Sequence, residues 1–111
     1  MESSDSPKSQ MFRKRKTPRV QLKIPVQVRG SGVDCSAECV ELGAGGMALM
    51  QAEHLGVSLP VQISFELGSP PPISLCAVVW WKRDKVTGLR FDPSDRNRKL
   101  VEEFVTAELA R

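Results

Sequence analysis

From Val20 onward the chain alternates apolar and polar residues one for one. Val20, Leu22, Ile24, Val26 and Val28 fall on one side of an extended backbone, and Gln21, Lys23, Gln27 and Arg29 fall on the other. A period of two cannot supply the stripe that an amphipathic helix buries, so it commits this stretch to a half-buried β-strand. Pro25 sits on the polar side and has no N–H, which points to a sheet edge or a bulge.

The same punctuation recurs along the chain. Gly30, Ser31 and Gly32 turn the first strand into a second over residues 33–42, as an antiparallel hairpin. Three glycines within Gly43, Ala44, Gly45 and Gly46 then permit positive φ or a close backbone approach, and residues 47–50 form a short third strand. A fourth strand spans residues 60–67, with Val61, Ile63, Phe65 and Leu67 alternating until the sequence GSPPP stops it. Residues 73–82 are apolar on both faces, which predicts a central strand covered on both sides. The adjacent Trp80 and Trp81 must then point in opposite directions, one of them into the interior. Arg83, Asp84 and Lys85 turn the chain into a sixth strand at residues 86–91.

After that strand the period changes. Leu100, Val101, Phe104, Val105 and Leu109 repeat at helical spacing, and Asp92 followed by Pro93 reads as an N-cap and first helical position. The fold class that follows is all-β with one terminal helix: a six-stranded antiparallel barrel with a C-terminal α-helix against its opening. Residues 1–12, rich in Ser, Pro and Lys, read as a disordered N-terminal tail, and residues 13–111 as a single domain.

Charge narrows the function. Residues 1–19 carry +4 and residues 20–111 carry −1, so the basic character belongs to the lead segment and not to the body. A near-neutral body with few aromatic residues argues against a nucleic-acid polymer as partner. No apolar run reaches the roughly 20 residues of a membrane span, and residues 1–10 lack the apolar core of a secretory signal, so no membrane insertion and a cytoplasmic location are expected. Cys35, Cys39 and Cys76 are odd in number and lack a Cys-x-x-Cys spacing, which reads as reduced thiols and no metal site. His54 is the single histidine, with no nucleophile beside it. Without a paired-carboxylate, phosphate-loop or metal-ligand pattern, no catalytic residues are assigned and no enzyme is expected.

Just before the first strand, Arg15 and Arg19 stand four residues apart in RKTPR. Each guanidinium can grip a phosphate or the O6/N7 edge of a guanine through parallel hydrogen bonds. After the second strand comes Glu41-Leu-Gly43-Ala-Gly-Gly46, continued by Met47-Ala-Leu49. This order, with Val79-Trp80 and Gly88-Leu-Arg-Phe91 in the late strands, resembles the PilZ domain, the bacterial receptor domain for cyclic di-GMP. That family's signature is Arg-x-x-x-Arg followed by Asp/Asn-x-Ser-x-x-Gly, and the resemblance covers residues 13–108.

What the resemblance implies is a cyclic di-GMP site made by Arg15, Arg19, Glu41, Gly43 and Gly46, with no cofactor beyond that ligand. The segment ahead of Arg15 becomes ordered as the ligand arrives, and the signal passes to an unidentified downstream protein. Glu41 keeps a carboxylate for the N1–H and N2–H₂ of a guanine but is one methylene longer than Asp. Gly43 lacks the serine hydroxyl, a loss of about 0.5–1.5 kcal/mol. These two departures support an alternative reading: a degenerate PilZ domain that binds no nucleotide and serves as a protein-interaction adaptor in motility or pilus control.

Overall fold

The computed structural model describes residues 18–30 and 32–111. Arg15, its neighbours Arg13, Lys14 and Lys16, the tail at residues 1–12 and Ser31 lie outside the described residues. Six strands and one helix follow in chain order: β1 Arg19–Gly30, β2 Val33–Gly43, β3 Gly46–Met50, β4 Pro60–Phe65, β5 Ile73–Arg83, β6 Val86–Phe91 and α1 Arg98–Leu109. The strands close into an antiparallel barrel in the order β1-β2-β3-β6-β5-β4, as the sequence predicts.

The alternation in β1 buries Val26 and Val28 completely and packs Val20, Leu22 and Ile24 against the same core. Across the barrel they meet Leu42, Leu49, Ile63, Leu75, Val79, Leu89 and Phe91. Each such side chain contributes roughly 1.5–3 kcal/mol by leaving water. Val101 and Val105 of α1 complete the core, with Phe104 beside them, and the helix packs on β1 and β2. β1 meets β4 only over Gln27 to Gly30, so Pro25 lies where β1 is paired to β2 alone. A proline is tolerated there because one side of the strand has no ladder to complete.

Three expectations are corrected. β5 is not covered on both faces: Leu75, Ala77 and Val79 are buried, whereas Ser74, Cys76 and Trp80 are exposed. In a closed barrel each strand has one inner and one outer face, so the apolar residues on the outer side are surface residues. The helix begins at Arg98 with Asn97 as N-cap, not at Asp92, and Asn97 makes no side-chain cap bond. Asp92 instead accepts from the Ser94 N–H at 2.9 Å and the Ser94 hydroxyl at 2.8 Å. Asp95 accepts from the Cys76 N–H at 2.9 Å and the Asn97 N–H at 3.0 Å. The segment is thus a pair of Asx turns fastened to β5. Neither tryptophan enters the interior, with Trp80 54% and Trp81 37% exposed.

The glycine-rich run also works differently from its first appearance. Gly43 pairs with Gly46 across the turn at Ala44 and Gly45, and none of the three glycines has positive φ. The positive-φ glycines are Gly32 and Gly68. What Gly43 and Gly46 supply is space.

Burial pushes the Cys39 thiol from 9.0 up to about 12, and Cys35 and Cys76 move in the same direction. A raised thiol pKa favours the neutral form in the folded chain. Its contribution is therefore whole below about pH 9 and is lost as the pH climbs from there toward 12. Raising the pH from 8 to 10 is expected to cost about 1.4 kcal/mol from Cys39 alone. Urea unfolding at the two pH values measures this, and Cys39→Ala should flatten the dependence. A Cys39→Ala chain as alkali-sensitive as the original would refute it.

Candidate functional site

Three irregularities in the barrel wall surround the site, the first where the β1–β2 register shifts between Gln21 and Ile24. Between β2 and β3, Cys39 pairs with Leu49 and Glu41 with Ala48, so Val40 is an extra residue. Between β5 and β6, Val79 pairs with Leu89 and Trp81 with Gly88, so Trp80 is an extra residue. A bulge displaces the alternation by one position. Cys39 and Val79 face inward, and so do Leu42 and Leu89, which leaves Glu41 and Trp81 to face outward.

The two outward residues lie on one row. Gln21 pairs with Glu41, Glu41 with Ala48, Ala48 with Gly88 and Gly88 with Trp81, crossing β1, β2, β3, β6 and β5. The middle of the row is made of the two smallest side chains. The Trp81 indole folds back over Gly88 so closely that any Cβ there would collide with its ring. Between Glu41 and this indole lies a trough of about 610 Å³, with Ala48 on its floor. Trp81 and Val86 also border a second cleft of about 450 Å³, which Arg19 lines.

Arg19 opens β1 opposite Gly43. Its stem crosses that glycine, where a Cβ would come within 3.0 Å of the Arg19 Cγ. The guanidinium reaches Glu41, with Nη1 donating to Oε1 at 2.9 Å. The side chains keep 29% and 26% of their exposure, so the pair faces the trough without being sealed from solvent. The longer Glu41 and the bare Gly43 therefore act together: the glycine admits the arginine stem, and the extra methylene lets the carboxylate meet its head. Gly46 stands at the other side of the turn against β6. A Cβ there would strike the Leu89 carbonyl oxygen and lie 3.4 Å from the Arg90 Cα. Its bareness is a requirement of strand packing whether or not anything binds nearby.

Arg19, Glu41 and Gly43 are thus brought together, Gly46 adjoins them through the turn, and Arg15 lies outside the described residues. The residue missed by reading the sequence is Trp81. Its signal was the break in alternation after Val79, together with a glycine one strand away. Trp80 belongs elsewhere, with the Arg90 guanidinium 4.6 Å from its ring centroid. His54 is exposed in the loop after β3. Among the described residues no group of three His, Cys, Asp or Glu could hold a metal ion, and no helix is long and apolar enough to cross a membrane.

Comparison with known proteins gives the family and the fold. The family model "PilZ domain" matches residues 13–107. The PilZ domain of YcgR from Escherichia coli, solved with c-di-GMP, superposes with a TM-score of 0.72 at 13% identity, over 88% of this chain and 95% of that one. The PilZ domain of CeSA from a cellulose-synthesizing bacterium gives 0.66 at 17% identity, over 85% of this chain and 99% of that one. The Bacillus subtilis inhibitor of motility MotI/DgrA gives 0.70 at 16% identity over 87% of this chain. It is covered for 51% of its length, so the chain spans about half of it. No curated protein matches the sequence at a significant level.

Proposed function

Because this chain belongs to the PilZ domain family, we propose that it is a cyclic di-GMP receptor that passes the second-messenger signal to a separate protein. The family is one of receptor domains and not of enzymes. The observation that carries the reading is the Arg19–Glu41 pair, 2.9 Å apart at the end of a trough whose far wall is an indole.

That pair sets a donor beside an acceptor. A guanine presents O6 next to N1–H and N2–H₂, so the guanidinium donates to O6 while the carboxylate accepts from the two N–H groups. Adenine presents the opposite order, an amino group beside an unprotonated N1, and leaves both protein groups unmatched. The Trp81 face offers the base a stacking surface, a contact worth roughly 1–3 kcal/mol in nucleotide sites. Arg15 joins Arg19 on the phosphates and guanine edges, Gly43 gives the Arg19 stem room to reach them, and Gly46 lets the adjoining turn pack on β6. The receptor works in the cytoplasm as one domain over residues 13–111, with residues 1–12 as a leading tail.

Calorimetric titration tests this, with GTP and cyclic di-AMP as controls. Micromolar or tighter binding confined to cyclic di-GMP is expected. Silence up to about millimolar ligand, weaker than about −4 kcal/mol, overturns it. The reading then favoured is the adaptor, a PilZ domain without a nucleotide. Two observations speak for that second reading: position 43 offers no hydroxyl, and the Glu41 carboxylate is already engaged by Arg19.

A further inference from the structure

The hairpin between β5 and β6 brings into the site a cation that belongs to neither half of the sequence signature. Arg83 ends β5, and the two-residue turn Asp84 and Lys85 follows, with Asp84 at φ 55°, a left-handed conformation that aspartate tolerates. Arg83 lines the cleft of about 450 Å³ together with Arg19, Trp81, Lys82, Asp84 and Val86. This cleft and the Glu41 trough share Trp81 and Val86, so the indole stands between them.

The three cations of the cleft differ in how they are engaged. Arg19 is held by Glu41, and the Lys82 Nζ donates to the Glu53 carbonyl oxygen. The Arg83 side chain makes no hydrogen bond or ion pair among the described residues, its backbone pairing with Val86 in the β5–β6 ladder. Asp84 is the one carboxylate in the lining, so positive charge prevails there. Two guanidiniums, Arg19 and the unengaged Arg83, on one side of an indole and the Glu41 carboxylate on the other suit a ligand that carries phosphate beside an aromatic base.

We propose that Arg83 is a ligand-contacting residue of this receptor, donating to a phosphate oxygen from the β5–β6 side while Arg19 holds the nucleotide from the β1 side. The assignment rests on the cyclic di-GMP reading. Arg83 then makes good, from another strand, the hydrogen bond that Gly43 cannot offer.

Two variants of equal charge separate a contact from a general field. Lys85 lies two residues beyond Arg83 on the same exposed turn and does not line the cleft. Arg83→Ala is expected to weaken cyclic di-GMP binding about tenfold, as loss of a charge-assisted hydrogen bond does. Lys85→Ala should change it less than about twofold, as a screened surface charge does. Equal losses in both variants overturn the proposal.

A second arm does not depend on the nucleotide. Inorganic pyrophosphate is titrated while the Trp81 indole N–H is followed by NMR, with Trp80 as internal reference. A Trp81 shift that Arg83→Ala abolishes supports the anion site even in a chain that ignores cyclic di-GMP. A shift that survives Arg83→Ala, or no shift in the unmodified chain, overturns it.

Discussion

A Gly46→Ala chain is expected to lose about 3 kcal/mol or more of folding stability, because the added methyl group has nowhere to go. The ideal Cβ lands on the Leu89 carbonyl oxygen, with the Leu89 carbonyl carbon at 3.2 Å and the Arg90 Cα at 3.4 Å. All three atoms are backbone of β6, so no rotamer change relieves the overlap. Either β3 must draw away from β6, breaking the pairing from Gly46–Arg90 to Met50–Val86, or the turn must distort. Gly45 is the control, since nothing lies within 4 Å of a Cβ built there and its φ is not left-handed. Urea unfolding should show a large fall in midpoint for Gly46→Ala and a change within about 0.5 kcal/mol for Gly45→Ala. Equal midpoints would mean that the β3–β6 contact is looser than described.

The second large effect falls on binding and spares the fold. Arg15→Ala combined with Arg19→Ala is expected to weaken cyclic di-GMP at least about a hundredfold. Each arginine supplies charge-assisted hydrogen bonds of roughly 1.5–3 kcal/mol, and two such losses compound. Stability should move by less than about 1 kcal/mol, because the Arg19–Glu41 pair is partly solvated and such pairs contribute little. Calorimetry and urea unfolding of the same preparation separate the two quantities. Unchanged affinity in the double variant would remove Arg15 and Arg19 from the site.

These expectations show which parts of the molecule a sequence can disclose. The alternation at Val20 to Val28 and the helical stripe at Val101 to Val105 are local patterns that burial enforces, so strand, helix and barrel were legible. Arg19 and Glu41 were legible as chemistry, but not as a pair, because their meeting depends on β1–β2 register and on the empty space at Gly43. Trp81 was misread because strict alternation was assumed across Trp80, where the strand carries an extra residue. The helix start failed for a related reason: Asp92 and Asp95 are good caps in isolation, yet Cys76 and Ser94 claim them as turn acceptors. Arg83 shares a face of β5 with Trp81, two residues before it, but only the closing of the barrel brings Arg19 of β1 to the same cleft.

Each bulge is a half-period slip in a wave of hydrophobicity. Around Val40 the core pattern resumes with its phase reversed, from Cys39 to Leu42, whereas past Trp80 no residue of β5 is buried, and the residues that the two slips turn outward are the carboxylate and the indole that border one trough. Core and site are therefore written in the same two strands on opposite phases, and the one can vary without rewriting the other. In this fold an apolar alternation that stumbles by one residue marks the inner wall of the site more directly than the residues that give the signature its letters.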